Sequence, residues 1–207
     1  ARWFENAYGI KPQIVRNVPR QKTVLDAPNQ KPSPHKKVLI YQGALNTHRG
    51  IECMIKAMEH LPHCELWIVG DGPIAQKLQK ITHQLNLADQ VVFWGRKSPE
   101  ELWKLTPLAD IGLSLEHASA PSYQFALPNK FFEYLFAGIP VLVGPTPAMA
   151  SVVETYECGE VFHDFALEQL IQSFNRLSPA TLEEWCLKRN LKTPMATTGP
   201  FASGPAI

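Results

Sequence analysis

The sequence predicts a doubly wound α/β domain: a parallel sheet of about six strands with helices packed on both faces. Three observations carry this. Short apolar runs alternate with segments of helical periodicity all the way from Val38 to Leu177. The runs are nearly continuous in Val, Ile and Leu, the pattern of strands covered on both faces. Several of them end at a glycine, where the backbone must turn sharply or pass close to another group.

Val38-Leu-Ile-Tyr41, leading to Gly43, is the first strand, and Ile51, Ile55 and Met58 recur behind it at helical spacing. Glu65-Leu-Trp-Ile-Val69 before Gly70 is the second, with a helix through Ile74, Leu78, Ile81 and Leu85. Val91-Val-Phe93 before Gly95 is the third, and Ser98-Pro-Glu-Glu101 opens the next helix as a capping box with Pro in the first turn. Ile111-Gly-Leu-Ser-Leu115 is the fourth strand, followed by a helix from Pro128 to Ala137 that Gly138 and Pro140 stop. Ile139 to Val143, a helix from Met149 to Tyr156, a strand at Glu160-Val-Phe162 and a helix from Ala166 to Leu177 complete the alternation. Residues 1–37 read as a hinge or linker, since from Pro19 to Lys37 the prolines Pro19, Pro28, Pro32 and Pro34 stand among polar residues, a composition that cannot sustain a helix. The folded unit spans 38–187, and the Pro/Gly-rich stretch 188–207 is expected to be extended or disordered.

The chain has 207 residues, 20 Lys+Arg against 19 Asp+Glu, and a net charge of +1. No basic run exceeds a pair such as Lys36-Lys37, so nothing is suited to track a phosphate backbone, and nucleic acid is not expected as a partner. Apolar stretches such as Ile139 to Val143 fall far short of the roughly 20 residues of a membrane-spanning helix. Cys53, Cys64, Cys158 and Cys186 lack paired spacing, and no apolar leader opens the chain, which suits a reduced, cytoplasmic protein. His60, His63 and Cys64 lie close together, but a zinc site wants a fourth ligand at suitable spacing, and positions around Pro62 read as surface. Trp67 and Trp94 flank strand ends and are expected in the core.

In such sheets ligands bind beyond the carboxyl ends of the strands. That rule selects the loops Gln42 to Gly50, Gly70 to Pro73, Gly95 to Ser98 and Glu116 to Lys130. Gly70-Asp-Gly-Pro-Ile-Ala75 formally matches a dinucleotide fingerprint, which would make the domain part of a dinucleotide-dependent oxidoreductase. It follows the second strand instead of the first, however, and the next strand ends in Trp94, Gly95 and Arg96 without an acidic residue, so a tight packing turn is the competing reading. Pro128-Asn129-Lys130 opens a helix whose free N–H groups and positive dipole end suit a phosphate or diphosphate. Asn129, Lys130 and Glu133 share one side of that helix, where Glu133 could hold vicinal ribose hydroxyls, and a surface ion pair between Lys130 and Glu133 is the alternative. Arg49 is either a phosphate ligand or an exposed residue at a helix start.

These lines together resemble the donor-binding C-terminal domain of the family-four retaining glycosyltransferases (group 1), of the kind found in bacterial surface-polysaccharide synthesis. The resemblance runs from about Tyr8 to Leu177 and rests on Val15-Arg-Asn-Val-Pro19, Tyr41-Gln-Gly43 with Arg49-Gly50, Trp67-Ile-Val-Gly-Asp-Gly-Pro73, Val91-Val-Phe-Trp-Gly95 with Pro99-Glu-Glu-Leu102, and Ala109-Asp-Ile-Gly-Leu113. Its most specific stretch is Leu127-Pro-Asn-Lys-Phe-Phe-Glu-Tyr-Leu-Phe-Ala-Gly-Ile-Pro-Val141. The implied fold is a Rossmann-like half of the two-domain GT-B architecture, its substrate a nucleoside diphosphate sugar, and its chemistry metal-independent transfer with no cofactor and with retention at the anomeric carbon. By position, Glu133 matches the glutamate that holds the donor ribose, and Leu127, Pro128, Asn129 and Lys130 match the turn around the diphosphate and sugar. Arg49 stands near the basic residue that neutralises the departing diphosphate, Gly43 matches the glycine lying against the donor, and Gly95 with Arg96 lies beside the base.

Two departures are visible: Ala44 stands where the family often has arginine, so Lys130 would have to complete the positive clamp, and Phe125 stands where many members have a glutamate. The latter implies a different donor-sugar environment. The resemblance also implies an acceptor-binding domain preceding this one, no catalytic residue within the present chain, and membrane contact, if any, through that other half at the inner membrane face. The chain is accordingly expected to bind donor without turnover, its first residue lying near the interdomain hinge. A nonenzymatic nucleotide- or partner-binding module with a decayed donor site is the competing functional class.

Overall fold

A computed structural model describes residues 2–11, 35–116, 127–163 and 167–192. Helix α1 (Arg2–Tyr8) comes first, and then the alternation begins: β1 (Lys37–Gln42), α2 (Ile51–Ala57), β2 (Cys64–Val69), α3 (Ala75–Gln84), β3 (Val91–Gly95) and α4 (Pro99–Leu105). The second half contributes β4 (Ile111–Ser114), α5 (Asn129–Ala137), β5 (Val141–Val143), α6 (Pro147–Tyr156), β6 (Gly159–Val161), α7 (Leu167–Arg176) and α8 (Pro179–Lys192). The strands form one sheet in the order β3-β2-β1-β4-β5-β6, every adjacent pair parallel. Connectivity therefore reverses between β1 and β4, which opens a crevice at their carboxyl ends.

Side-chain alternation splits the core into two layers. Leu39 and Tyr41 of β1, Leu66 and Ile68 of β2, and Leu113 of β4 face α2, α3 and α7, and Leu182 and Trp185 of α8 pack onto this layer. Val38 and Ile40, Trp67 and Val69, and Val141 and Val143 face α5 and α6. Trp67 is fully buried and meets Trp94 edge to face at 5.4 Å, as expected of core residues. Cys64 is likewise part of the core.

Local chemistry sets the element ends. The Ser98 hydroxyl accepts from the Glu101 N–H at 3.3 Å, and the Glu101 carboxylate accepts from the Ser98 N–H at 2.8 Å, the reciprocal cap read from the sequence. Gly138 ends α5 with φ 88°, its N–H donating to Leu135 O and that of Ile139 to Tyr134 O.

Two limits of the expected folded unit, 38–187, differ from the structure. Lys37 belongs to β1, whose backbone pairing with Cys64 draws it into the sheet. Residues 188–192 are helical, because α8 is anchored by Leu182 and Trp185 and continues through helix-favouring residues to Lys192. The Val15 to Pro19 motif, Phe125 and the stretch from Thr193 lie outside the described residues. Among the described residues no helix is long and apolar enough to cross a membrane.

Candidate functional site: a cleft at the end of β1 and the start of α5

Two residues beyond Ile40, Gln42 points to the α5 side of the sheet by the same alternation. Ser114 and then Glu116 follow Gly112 on that side of β4, opposite the first turn of α5. Pro128 fixes the approach to this helix with φ −72° and ψ 150°, and among the described residues no side chain caps its first N–H groups. A cleft of about 330 Å³ opens there, walled by Gly43, Ala44 and Arg49 from the loop after β1 and by Asn129, Lys130 and Glu133 from α5. Its size is at the small end of the roughly 300–1,000 Å³ usual for ligand pockets.

The two cations of the cleft are tied to one buried carboxylate. Glu116 Oε1 lies 2.9 Å from Arg49 Nη1 and 2.7 Å from Lys130 Nζ, and its Oε2 accepts from the Ser114 hydroxyl at 2.7 Å. The Glu116 side chain is completely shielded from solvent and that of Lys130 nearly so, whereas Arg49 keeps about a quarter of its side-chain surface. Burial alone would push the Glu116 carboxyl up, but the Lys130 ammonium, the Ser114 hydroxyl and the Arg49 guanidinium together hold it below the usual carboxylate range. Burial pushes the Lys130 ammonium down despite its carboxylate partner. The ammonium also sits 4.0 Å from the centre of the Tyr41 ring. Arg49, Lys130 and Glu116 together carry one net positive charge at the cleft floor, which the Glu133 carboxylate of the same lining balances when it is ionised.

Glu133 does not pair with Lys130, so the surface ion pair considered for these residues is absent. Its Oε2 accepts instead from the side-chain amide of Gln42, itself 2% exposed. Burial raises the Glu133 carboxyl, and the Gln42 bond partly offsets this. Gln42 is held in turn: its Oε1 accepts from the Thr106 hydroxyl at 2.9 Å, and its backbone N–H donates to Tyr134 Oη at 2.9 Å.

Of the residues singled out from the sequence, Gly43, Arg49, Pro128, Asn129, Lys130 and Glu133 line this one cleft. Leu127 packs partly buried against the core layer beside α5. Gly95 and Arg96 are exposed at the end of β3, away from the cleft lining. Sequence reasoning passed over Glu116 and Gln42 as individual residues. Each carries a signal: a polar side chain directly extending a continuous apolar strand must be solvated by partners, and at a carboxyl strand end those partners are the site.

The Gly70-x-Gly72 pair has a packing role. A Cβ on Gly70 would lie 1.9 Å from Gly43 O, and one on Gly72 2.5 Å from Leu45 O, so both glycines let the loop after β2 lie against the loop after β1. Their small size is consumed by protein backbone, which accounts for the fingerprint without a dinucleotide.

Comparison with known proteins agrees with this fold. An uncharacterized glycosyltransferase of Methanocaldococcus jannaschii, MJ1607, is 27% identical over 121 residues, covering 57% of this chain and 30% of the relative. Among solved structures, WaaG, a glycosyltransferase involved in lipopolysaccharide biosynthesis, superposes with a TM-score of 0.73 at 20% identity, covering 91% of this chain and 54% of WaaG. Anabaena HepE in complex with UDP gives 0.66 at 17% identity, covering 76% of this chain and 43% of HepE. The chain thus spans between about a third and about a half of the length of these proteins, and the structural likenesses establish the shared fold. The family model described as glycosyl transferases group 1 matches residues 25–184, which takes in the whole sheet and the cleft: the chain belongs to the group 1 glycosyl transferases.

Proposed function

We propose that this chain is the donor-binding half of a retaining, metal-independent glycosyltransferase and that its cleft holds a nucleoside diphosphate sugar. The observation that carries the reading is the convergence of Arg49, Lys130 and the start of α5 on a cleft that also holds the Glu133 carboxylate. The diphosphate lies against the helix N-terminus and the two cations, and the ribose hydroxyls donate to Glu133. Lys130, next to Gly43, supplies the positive charge that Ala44 lacks.

In the transfer, the bond from the anomeric carbon to the diphosphate oxygen breaks while one to an acceptor hydroxyl forms. Negative charge grows on the departing diphosphate, and groups already aimed at it lower the barrier. Arg49, Lys130 and the α5 N–H groups have that position, so the charge is met by protein groups without a metal. Acceptor alignment requires the preceding domain, so the chain alone binds donor without turnover. WaaG's part in lipopolysaccharide biosynthesis supports a role in surface polysaccharide or glycoconjugate synthesis, and UDP in HepE supports a nucleotide ligand. Four free cysteines suit a reducing cytoplasmic setting, with any membrane contact made through the other half.

Calorimetric titration of the chain with UDP, GDP, ADP and their sugars, with and without a chelator, tests this. Binding of at least one in chelator, weakened by Glu133→Ala, is expected. A folded chain that binds none of them would refute the donor-site reading and leave the nonenzymatic module standing.

A further inference from the structure

Gln42 is among the most deeply buried polar side chains of the molecule, and its amide has only one orientation compatible with its neighbours. Glu133 can only accept while ionised, so Gln42 must turn its NH₂ to it, and the carbonyl then takes the Thr106 hydroxyl proton. A flip of the amide would set oxygen against oxygen at Glu133 and leave the Thr106 hydroxyl facing an NH₂ group. The backbone of the same residue is pinned through the Tyr134 hydroxyl, which itself donates to Leu113 O at 3.2 Å. Thr106 belongs to the 3-10 turn at residues 106–108 and Tyr134 to α5, so the group that touches Glu133 is fixed from a separate element as well as from the helix that carries Glu133. The terminal torsion of a glutamate is broad when nothing holds it. Here one carboxylate oxygen is engaged from below, and among the described residues no side chain makes such a contact with the other, Oε1.

We propose that Gln42, locked by Thr106, is a positioning residue that holds Glu133 ionised and rotationally fixed, and that this relay sets the preference of the site for ribose over deoxyribose nucleotides. The inference rests on the donor-site reading above. The relay bond opposes the effect of burial on Glu133, so it favours the charged acceptor that a sugar hydroxyl requires. A group that is fixed before the ligand arrives discriminates strongly against an analogue lacking the matching hydroxyl, because the buried acceptor is then left unpaired. A free carboxylate can turn away and tolerate the loss.

The experiment measures the dissociation constants of the nucleoside diphosphate that binds, of its 2′-deoxy and 3′-deoxy counterparts, and of inorganic pyrophosphate, for the chain and for Gln42→Leu and Thr106→Val. The unsubstituted chain is expected to prefer the ribonucleotide by about tenfold to a hundredfold, the scale of one hydrogen bond to a charged group. In Gln42→Leu that ratio falls to about threefold or less while pyrophosphate affinity stays within about twofold, since Arg49 and Lys130 are untouched. Thr106→Val, which keeps the Gln42 side chain but removes the donor that holds its carbonyl, loosens the amide, moves the ratio in the same direction by less and serves if Gln42→Leu does not fold. A ribose preference that persists undiminished in either folded variant overturns the relay while leaving the donor site in place. A site that binds none of the nucleotides in any variant overturns both.

Discussion

The single substitution Gly112→Ala tests the link between the sheet and the cleft. Gly112 lies in the middle of β4 facing α5, and an added Cβ would sit 2.3 Å from Cγ, 2.4 Å from Cδ2 and 2.7 Å from Cδ1 of Tyr134. Carbon atoms in contact rest about 3.5–4.0 Å apart. Rotating the ring does not help, because Cγ lies on its rotation axis, so the methyl must push α5 itself off the sheet. The ring is fully buried, and its hydroxyl is held by the Gln42 N–H at one side and Leu113 O at the other, so the shift also strains both hydrogen bonds. Overpacking of about 1–3 kcal/mol together with about 1 kcal/mol for each bond gives about 3–5 kcal/mol. For a chain of this size that corresponds to a fall in Tm of roughly 6–20 °C. Thermal and urea unfolding measure it, and nucleotide titration should show weakened binding, since α5 carries Lys130 and Glu133. The double variant Gly112→Ala/Tyr134→Leu should recover about 1–3 kcal/mol relative to the sum of the single costs. A Gly112→Ala chain that melts within about 2 °C of the parent, or a double variant whose costs simply add, would refute the packing argument.

Glu116→Gln removes the carboxylate shared by Arg49 and Lys130 and should cost about 3–5 kcal/mol, the usual penalty for leaving a buried charge without its partner. A bound nucleoside diphosphate can then supply the lost negative charge, so its Tm increment should be larger in this variant than in the parent; an equal or smaller increment would count against the shared-cation geometry. The Glu116 carboxyl is held below its unfolded pKa, so its contribution to stability is complete above the unfolded value of about 4.3 and is lost as pH falls through the folded one. Acid unfolding curves should therefore be steeper in the parent than in Glu116→Gln. Gly70→Ala and Gly95→Ala should separate widely. Both glycines have positive φ, but the Gly70 methyl would run into Gly43 O and cost at least about 3 kcal/mol, whereas Gly95 faces open space and should cost only about 1 kcal/mol. Comparable melting temperatures for the two variants would show that loop packing at Gly70 is looser than the geometry states.

Much of the fold was legible because strand burial writes itself as continuous apolar runs, and helix ends write themselves as Ser98, Gly138 and the prolines beside them. Less legible was the far end of α8: its last residues are mostly polar, and what holds them helical is the contact of Leu182 and Trp185 with a core layer built from other elements. At the site, the sequence marked Arg49, Lys130 and Glu133 by residue type and by their place at strand and helix ends. It offered Glu133 to Lys130 as a partner because they stand three apart on one helix, and local spacing is all a sequence reveals about side-chain pairing. In the folded chain Lys130 turns to Glu116, just beyond the end of β4, and Glu133 to Gln42, at the end of β1, because alternation along β1 and β4 presents those polar ends to the same first turn of α5.

The sequence alone determined that a parallel sheet forms, where its loops gather, and that an anion-binding helix start lies among them, since these follow from burial, periodicity and backbone chemistry acting over short stretches. Only the tertiary structure decided which charges neutralise one another and which remain for a ligand. That is a matter of distances between residues as far apart in the chain as Arg49 and Glu116 or Gln42 and Glu133, and it is set by strand order and by the face to which each side chain falls.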